Sequence, residues 1–541
     1  MREQSTTKGF AVLSAASIVV KLLSLFYLPF LSIILDNEGL ANYSYTYQIF
    51  ALIYVLTNSG IPVAISKMVS ELIAQQNYKD AVKAFKLARF LLLLLGLGMS
   101  LLMILLAGPL TRSAGLPDAY LSVVALAPTV LITSVVSAYR GYFQGRGNMT
   151  PTAVSQVGEQ VINTVFSLMF AALLIKVSMK AGVVGGTIGT TLGALFAGIY
   201  LVIKYEKSRK YRIPKDVATA EITRLPNRVL LRRILNYGVP ITLSVGLQNA
   251  GSLVDSSIMV PRLIVSGLKD VIARQKFAIL AQLNPLINVP ITVISALSAA
   301  VLPAISAAAA VDDRKRVQSK INQALKLCFM VSIPSAVGLA VLSNPIFSTL
   351  FNKYPEYSKI GAYLLKFGSI VVVLMSVVQI QTTILQSIGK MYIVTASMVF
   401  GIIFKIVCDY VLVAVPSINL LGAVIGNIIC FTVPLIINSW FIRKWTKYKL
   451  DLSKYSIRPI VASAFMGVIV YMIYFTLETF MIGSHTRAVV KVIPLLFSIG
   501  VGGFVYIYGL ILVGGITRKD MDSLSPRITR LIPNFMKERM R

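Results

Sequence analysis

A lysine interrupts the first long apolar segment of the chain. Lys21 lies near the middle of the apolar residues 10–35. A charge at the centre of a membrane-spanning helix costs roughly 2.5–3.5 kcal/mol, so such residues are rare and usually have a function. Two interpretations follow for Lys21: a cationic anchor for an anionic group, or one partner of an interhelical ion pair. Its depth predicts that the side chain faces a polar cavity rather than lipid.

Four polar residues form one face of a later apolar segment. Gln156, Glu159, Gln160 and Asn163 are three or four residues apart, which places their side chains on one side of a helix. This face is predicted to line a cavity, because polar side chains in a spanning helix turn away from lipid. Glu159 is either a proton-coupling carboxylate or a polar residue of the cavity wall.

Two aspartates and a lysine form a further candidate group. Asp255 and Asp409 lie at similar depth in two apolar segments that are predicted to run in the same direction. Lys405 precedes Asp409 by four residues and therefore shares its helix face. The group is either a structural Asp–Lys–Asp cluster or an ion site.

The chain lacks the residues of several common active sites. His485 is the only histidine, and Cys328, Cys408 and Cys430 all lie in apolar runs. These residues cannot build a His/Cys metal site or a His-based catalytic triad, and they predict no disulfide framework. We therefore expect no metal and no cofactor. No G-x-x-x-x-G-K-[ST] motif is present, which argues against direct use of ATP.

The composition assigns these candidate residues to helices in a membrane. Of the 541 residues, 56% are hydrophobic and only 13% are charged, and the mean hydropathy is +0.77. Soluble domains contain about 25% charged residues. A chain this long and apolar would aggregate in water, which excludes a cytosolic enzyme, a secreted domain and a disordered protein. The predicted fold class is an all-α polytopic membrane protein.

About 14 transmembrane helices are predicted, each with the roughly 20 apolar residues that a span needs. With alternating sides, 38 of the 52 Lys and Arg residues lie on the inner side and 12 on the outer side. This bias predicts that both termini are cytoplasmic. It also assigns most of the net charge of +31 to anionic lipid headgroups rather than to nucleic acid. The predicted spans are 10–35, 43–66, 87–110, 119–139, 151–176, 181–204, 236–261, 279–305, 327–350, 360–388, 393–415, 418–442, 459–481 and 489–516.

Short motifs recur in order along the two halves of the chain. "QGRGNM" at 144–149 is similar to "QSIGKM" at 386–391, and two other pairs, "IPVAIS" with "LPAIS" and "GGTIG" with "GAVIG", recur at offsets between 237 and 242 residues. An even number of helices per copy gives a parallel repeat, so we predict two six-helix lobes related by an axis along the membrane normal. The predicted domains are an N-terminal lobe with its linker at 1–235, a C-terminal lobe at 236–458, two extra helices at 459–516 and a basic cytoplasmic tail at 517–541.

Three segments carry a family resemblance. "AYRGYFQGRGNMTPTAVSQVGEQ" at 138–160, "LVDSSIMVPR" at 253–262 and "LPAIS" at 302–306 resemble the stage V sporulation protein B and MurJ-like branch of the multidrug/oligosaccharidyl-lipid/polysaccharide (MOP) exporter superfamily. The resemblance implies two six-helix lobes, two extra helices that line a groove for a lipid tail, and residence in a bacterial plasma membrane. It also implies translocation of undecaprenyl-diphosphate-linked sugars such as the peptidoglycan precursor lipid II.

The resemblance implies roles for two groups of candidate residues. The family places a basic residue at the position of Lys21, where a lysine would bind the diphosphate as a point charge. Some members of the family hold sodium with an aspartate and an Asn/Asp pair four residues apart. Asp255 and Asp409 match that pattern, whereas Lys405 stands in place of the asparagine, and an ammonium group there could replace the bound cation.

Three further residues are candidates for substrate contacts. Gln248 and Asn249 are suited either to sugar hydroxyls or to hydrogen bonds between helices. Arg140 lies beside a turn at the predicted inner face, where it could meet an incoming diphosphate. The positive-inside bias alone also predicts an arginine there.

The predicted function is that of a flippase. It would move a lipid-linked cell-wall or polysaccharide precursor, with lipid II as the first candidate, from the inner to the outer leaflet by alternating access. A Na⁺ or H⁺ gradient or the membrane potential would drive it. The expected partners are the lipid-linked oligosaccharide and membrane lipids, with cell-wall synthesis proteins as further candidates and no nucleic acid.

Three other functions remain open from the sequence. A cation-coupled multidrug exporter of the same superfamily is supported by Glu159 and opposed by Lys21. A polyprenyl-phosphate glycosyltransferase would need carboxylates on a sizeable loop, and the only D-x-D, Asp520–Asp522, lies in the basic tail. A scaffold for cell-wall synthesis would leave the charges inside the spans unexplained.

Overall fold

The computed structural model describes residues 6–208, 224–310, 313–351, 353–447, 451–482 and 488–515. Within these ranges the protein is all-helical, apart from turns and one short 3₁₀ helix at Pro117–Ala119. The helices are α1 (Thr6–Asn58), α2 (Gly60–Ala74), α3 (Tyr78–Ser113), α4 (Tyr120–Gly145), α5 (Thr150–Leu174), α6 (Met179–Ser208), α7 (Asn227–Val265), α8 (Asp270–Ala310), α9 (Arg314–Val341), α10 (Ser343–Leu350), α11 (Pro355–Gly368), α12 (Ile370–Ser387), α13 (Met391–Leu412), α14 (Leu421–Thr446), α15 (Leu452–Ile482) and α16 (Ala488–Leu512).

Helix α1 is two helices joined at a sharp break. Asp36 has φ 61° and ψ 175°, which is not a helical conformation. Its carboxylate accepts a hydrogen bond of 2.7 Å from the backbone N–H of Asn37, as short acidic side chains often do where a chain leaves a helix. The break falls between the first two predicted spans, 10–35 and 43–66, and so accounts for both of them within one long element.

Twelve segments of the described residues are long and apolar enough to cross a membrane. The prediction of an all-α membrane protein is therefore confirmed, whereas the predicted number of about 14 spans is matched only approximately. One difference arises because residues Ala15–Ile73 form a single candidate segment across the break at Asp36. The other arises at α7, which is not among the twelve and carries polar residues along much of its length.

The helices form two compact units. Unit 1 comprises Met1–Ala281 with Asp409–Asn419, and unit 2 comprises Gln282–Cys408 with Leu420–Arg541. This division by contacts differs from the predicted lobes, whose boundary follows the sequence repeat at 235/236. The difference arises because α7 packs on α1 and α2 inside unit 1, where the hydroxyls of Tyr45 and Ser257 are 2.9 Å apart. The internal duplication itself stays a prediction.

The core of unit 1 is aromatic and depends on close helix packing. Phe85 of α3, Tyr142 of α4 and Tyr205 of α6 are buried, with ring centroids between 4.6 and 5.3 Å apart. Helices α2 and α4 meet at two glycines. A Cβ atom at Gly141 or Gly145 would lie 2.6 Å from a carbonyl oxygen of α2, so these positions admit only glycine without a shift.

The two last described helices belong to unit 2 and pack on its other helices. Helix α15 lies along α9, and a Cβ at Gly467 would be 3.0 Å from Cγ1 of Val337. Helix α16 packs on α15, and the hydroxyl of Tyr506 donates a hydrogen bond of 2.9 Å to the carbonyl of Met330. Both helices therefore lie beside α9 within unit 2. The groove for a lipid tail that the family resemblance implies stays a prediction.

Candidate functional site

A polar cavity lies inside unit 1 between α1, α4, α5 and α6. Its volume is about 280 Å³. Its wall combines aromatic rings with hydroxyl, amide and carboxylate groups, which can bind a ligand through both apolar and hydrogen-bonding contacts. The wall consists of Tyr47, Phe50, Ala51, Tyr54, Thr133, Glu159, Gln160, Asn163 and Thr190.

The polar face of α5 contributes three of these residues. Glu159, Gln160 and Asn163 line the cavity, because residues three and four apart lie on the same side of the helix. Gln156 is one turn earlier on the same face and is not part of this wall. The structure thus brings together three of the four residues that the spacing singled out, while their roles in binding stay predictions.

Arg140 forms an ion pair with Glu159 beside the cavity. The Nη2 atom of Arg140 donates to Oε2 of Glu159 at 2.6 Å, and its Nε donates to Oγ of Ser155 at 3.0 Å. The side chains of Arg140 and Glu159 are only 13% and 21% exposed. A charge-assisted hydrogen bond of this length between partly buried side chains is strong. The arginine is therefore already neutralised by a carboxylate from the next helix.

Asn163 is the centre of a hydrogen-bond network that joins three helices. Its Oδ1 atom accepts hydrogen bonds of 3.0 Å from Ser167 on the same helix and from Thr190 on α6. The hydroxyl of Thr190 also contacts the hydroxyl of Tyr47 on α1. Because each buried polar group in this network has a partner, the network fixes the positions of α1 and α6 relative to α5.

The sequence interpretation missed the aromatic side of the cavity. Tyr43, Tyr47, Phe50 and Tyr54 succeed one another along α1, with ring centroids of neighbours 4.5, 6.0 and 5.6 Å apart. Their spacing of four, three and four residues was a detectable signal, because it places all four rings on one helix face. Such a stripe is common in helix packing, so spacing alone could not assign it to a cavity.

Glycines of α6 allow α5 to approach closely enough to position the polar face. A Cβ atom at Gly193 would lie 2.5 Å from the carbonyl oxygen of Glu159, and one at Gly189 would lie 2.5 Å from that of Asn163. Real Cβ atoms do not approach backbone oxygens so closely. The place of Glu159 beside Arg140 therefore depends on glycine in the facing helix.

The substitution Gly193→Ala is expected to separate α5 from α6. Overpacking of this kind costs about 1–3 kcal/mol, so the melting temperature of the purified protein should fall clearly. Gly198→Ala on the same helix is the matched control, because its nearest neighbour would be a side-chain carbon at 3.4 Å. Equal melting temperatures for the two variants would contradict the packing argument.

Lys21 lies on an exposed face of α1. Its side chain is exposed, whereas Ala16 before it and Tyr27 after it are buried in unit 1. Among the described residues, no ion pair and no hydrogen bond involves Lys21. The interpretation of an interhelical ion pair therefore has no support there, and the ammonium group is available to a ligand. Its orientation toward a polar cavity rather than lipid stays a prediction.

The ends of α7 and α13 lie side by side in unit 1. Nε of Arg262 donates a hydrogen bond of 2.8 Å to the carbonyl of Tyr410, and its guanidinium lies 3.9 Å from the centre of the Tyr410 ring. Asp409, which is fully buried, is therefore level with residues near 261. Asp255 is about 9 Å further along the helix axis.

This alignment of α7 with α13 does not decide between the two interpretations of the aspartates, a structural cluster or an ion site. Lys405 is nearly buried on the same helix as Asp409, and the proposed group of Asp255, Lys405 and Asp409 stays a prediction. Within the described ranges, no three His, Cys, Asp or Glu residues are grouped as metal ligands would be.

The other two predicted contacts on α7 have different outcomes. Nδ2 of Asn249 donates a hydrogen bond of 3.0 Å to the carbonyl of Val245 on its own helix. This bond uses one of its donors and leaves a second donor and the oxygen for other partners. The side chain of Gln248, like His485 and Asp520–Asp522, lies outside the described part of the structure.

Comparison with known families decides the relationship. The profile of the family described as "Polysaccharide biosynthesis protein" matches residues 6–309, more than half of the chain. The chain belongs to the polysaccharide biosynthesis protein family. A second family, MatE, matches residues 240–411. Both matches place this family member in the MOP superfamily, which consists of transporters and not of enzymes.

Two bacterial relatives are similar over most of their length. This family member is 25% identical to the lipid II flippase MurJ of Bacillus subtilis (strain 168) over 525 residues, 93% of this chain and 94% of the relative. It is 23% identical to the stage V sporulation protein B of the same organism over 464 residues, which cover 84% and 87% of the two chains. The predicted family resemblance is confirmed.

Solved structures show the same fold. An inward-facing multidrug resistance MATE family transporter of the MOP superfamily superposes with a TM-score of 0.68 at 19% identity, over 81% of this chain and 99% of that one. A MOP superfamily transporter from Pyrococcus furiosus, whose title reports a reversed polarity of the binding pocket, gives a TM-score of 0.61 at 18% identity over 83% of this chain and 98% of that one. This family member is therefore a multi-pass membrane protein with a MATE-like fold.

Proposed function

We propose that this protein is a flippase for a lipid-linked saccharide, with lipid II as the first candidate. It would move an undecaprenyl-diphosphate-linked precursor from the inner to the outer leaflet of a bacterial plasma membrane by alternating access. The architecture proposed for this task has 14 spans in two six-helix lobes with two additional helices. The family and the similarity to a lipid II flippase support the class of substrate.

The observation that carries the proposal is the state of Lys21. An exposed ammonium group in an apolar helix, without an ion-pair partner among the described residues, requires compensation by an anion or by water. A diphosphate supplies two phosphate groups with several acceptor oxygens, and lysine binds them as a point charge. In an ordinary structural ion pair, by contrast, each charge is compensated by its partner and needs no ligand.

The unit 1 cavity has the chemistry to contact part of a sugar headgroup. Tyr47, Asn163 and Thr190 carry hydroxyl and amide groups that donate and accept hydrogen bonds. Its volume of about 280 Å³ is slightly below the 300–1,000 Å³ of typical ligand pockets. In the described conformation it can therefore hold a fragment of a headgroup but not a whole saccharide with its peptide.

Translocation of lipid II by the purified protein alone would test the proposal. We expect proteoliposomes that contain this protein to make fluorescent lipid II accessible in the opposite leaflet faster than empty liposomes. A preparation with the Lys21→Ala variant serves as the control for leakage. If lipid II is not moved while another polyprenyl-diphosphate saccharide is, the substrate within the class is different. If neither is moved, the flippase function is wrong.

A cation-coupled multidrug exporter is the second candidate function. The MATE-like fold and the presence of Glu159 in the unit 1 cavity favour it. However, Arg140 holds that carboxylate in an ion pair at 2.6 Å, so the carboxylate already has a cationic partner in the protein. Proton-dependent efflux of a cationic dye from vesicles, without lipid II transport, would favour the exporter.

A further inference from the structure

A groove runs along the surface of unit 2 between α9, α10 and α11 on one side and α15 on the other. Its volume is about 680 Å³. It lies at the C-terminal end of α9, the end away from Arg314. This end is on the predicted outer side of the membrane. A Cβ atom added at Gly467 would lie 3.0 Å from Cγ1 of Val337. This close approach of α15 to α9 closes the groove along one edge.

Two lysines project into this groove from one face of α11. Lys359, Tyr363 and Lys366 all line it and are all exposed. They are four and three residues apart, so they share a side of the helix. The two lysines are separated by about 10 Å along the axis. Among the described residues neither lysine has an ion-pair partner, and Glu356, three residues before Lys359, forms no ion pair with it.

The opposite walls of the groove are apolar. Val337 and Val341 of α9 and Val468 and Met472 of α15 line it, and the last two side chains are more than half exposed. A groove with cations on one wall and aliphatic side chains on the others matches a molecule with an anionic head and a hydrocarbon chain.

The depth of Lys366 agrees with the headgroup layer of a membrane. The candidate span α12 begins at Ile370, four residues after Lys366 and eleven after Lys359. These separations correspond to about 6 Å and 16 Å along the helix. The polar layer adds about 5–8 Å on each side of the hydrocarbon core. Lys366 therefore lies within this layer, and Lys359 lies beyond it, from where its side chain can extend back along the helix toward the phosphate groups.

We propose that this groove binds a resident anionic phospholipid. The phosphate group lies between Lys359 and Lys366, and one acyl chain lies against α15. The site involves neither Lys21 nor the unit 1 cavity, which carry the proposed transport of a saccharide lipid, and it shares only α15 with the predicted groove for the lipid tail. The bound lipid would hold α15 against α9 and α11.

Native mass spectrometry of the purified full-length protein tests this site. Dioleoyl phosphatidylglycerol and dioleoyl phosphatidylcholine are the probes, since they share their acyl chains and differ in net charge. We expect the wild type to retain phosphatidylglycerol preferentially. The variant Lys359→Ala/Lys366→Ala should bind it on the order of thirtyfold more weakly, since each lysine near a membrane surface contributes about 1 kcal/mol, and Lys359→Arg/Lys366→Arg should retain it.

Two further variants separate a specific site from general charge. Lys315→Ala/Lys320→Ala removes the same charge from the other end of α9 and should leave the retention of phosphatidylglycerol unchanged. Ala464→Phe keeps both lysines but fills the groove, which Ala464 lines, and should weaken retention. The proposal is wrong if the two double alanine variants lose lipid equally, or if Ala464→Phe binds like the wild type. It is also wrong if undecaprenyl phosphate is retained and phosphatidylglycerol is not.

Discussion

Lys21→Ala is expected to abolish complementation of a bacterial strain depleted of its own lipid II flippase. The ammonium group is exposed on an apolar helix and forms no ion pair within the described residues. Its removal would take away the proposed anchor of the diphosphate without creating a cavity in a packed core. Protein abundance in the membrane should therefore stay normal, which quantitative immunoblotting of membrane fractions would check.

Two other replacements show whether the charge is what matters at this position. Lys21→Met keeps a similar unbranched stem without the charge and should fail like alanine. Lys21→Arg keeps the cation and adds bidentate contacts to phosphate, so it should support growth. Lys176→Ala, which removes an exposed lysine just beyond α5, is the matched control and should complement fully. Growth supported by Lys21→Met would rule out the anchor.

Removal of either partner of the Arg140–Glu159 pair is expected to destabilise the protein more than removal of both. The loss of one partner of a buried ion pair leaves an uncompensated charge and costs about 3–5 kcal/mol. The value here should be at the lower end because both side chains keep some exposure. Arg140→Gln and Glu159→Gln should each lower the melting temperature of the purified protein, and Arg140→Gln/Glu159→Gln should recover part of the loss.

A double-mutant cycle in the melting measurements gives the size of this coupling. Residues in direct contact show interaction energies of about 0.5–3 kcal/mol, and a charged contact of 2.6 Å should lie in the upper part of that range. The exposed pair Lys67–Glu71 on α2, at 3.8 Å, offers a comparison for which little coupling is expected. Additive effects at Arg140 and Glu159 would show that the pair contributes nothing to stability.

The stability measurements on the Arg140 and Glu159 variants also bear on the proposed transport. If Glu159 serves mainly to hold Arg140, Glu159→Gln should impair folding and transport together. If Glu159 carries a coupling proton, transport by Glu159→Gln should fall much further than its loss of stability explains, and further than transport by the similarly destabilised Arg140→Gln. Melting curves and lipid II translocation on the same preparations therefore distinguish a structural carboxylate from a coupling one.

The sequence by itself determined the membrane class, the helical fold and the family. Hydropathy is a local property, because a span of about 20 apolar residues is stable in lipid whatever its neighbours are. For the same reason the sequence located Lys21 as an anomaly, since the cost of a charge depends on depth in the membrane. Helical spacing also grouped Glu159, Gln160 and Asn163 on one face before any contact was known.

Only the tertiary structure decided which groups face one another. Arg140 and Glu159 are on different helices, as are Asn163 and Thr190, and spacing within one helix carries no information about the facing helix. The packing of α7 with α1 and α2 in unit 1 also differs from the lobe that the repeat predicts. Periodicity fixes the face that a helix presents, whereas side-chain fit, such as that of Gly193 against α5, selects the neighbour.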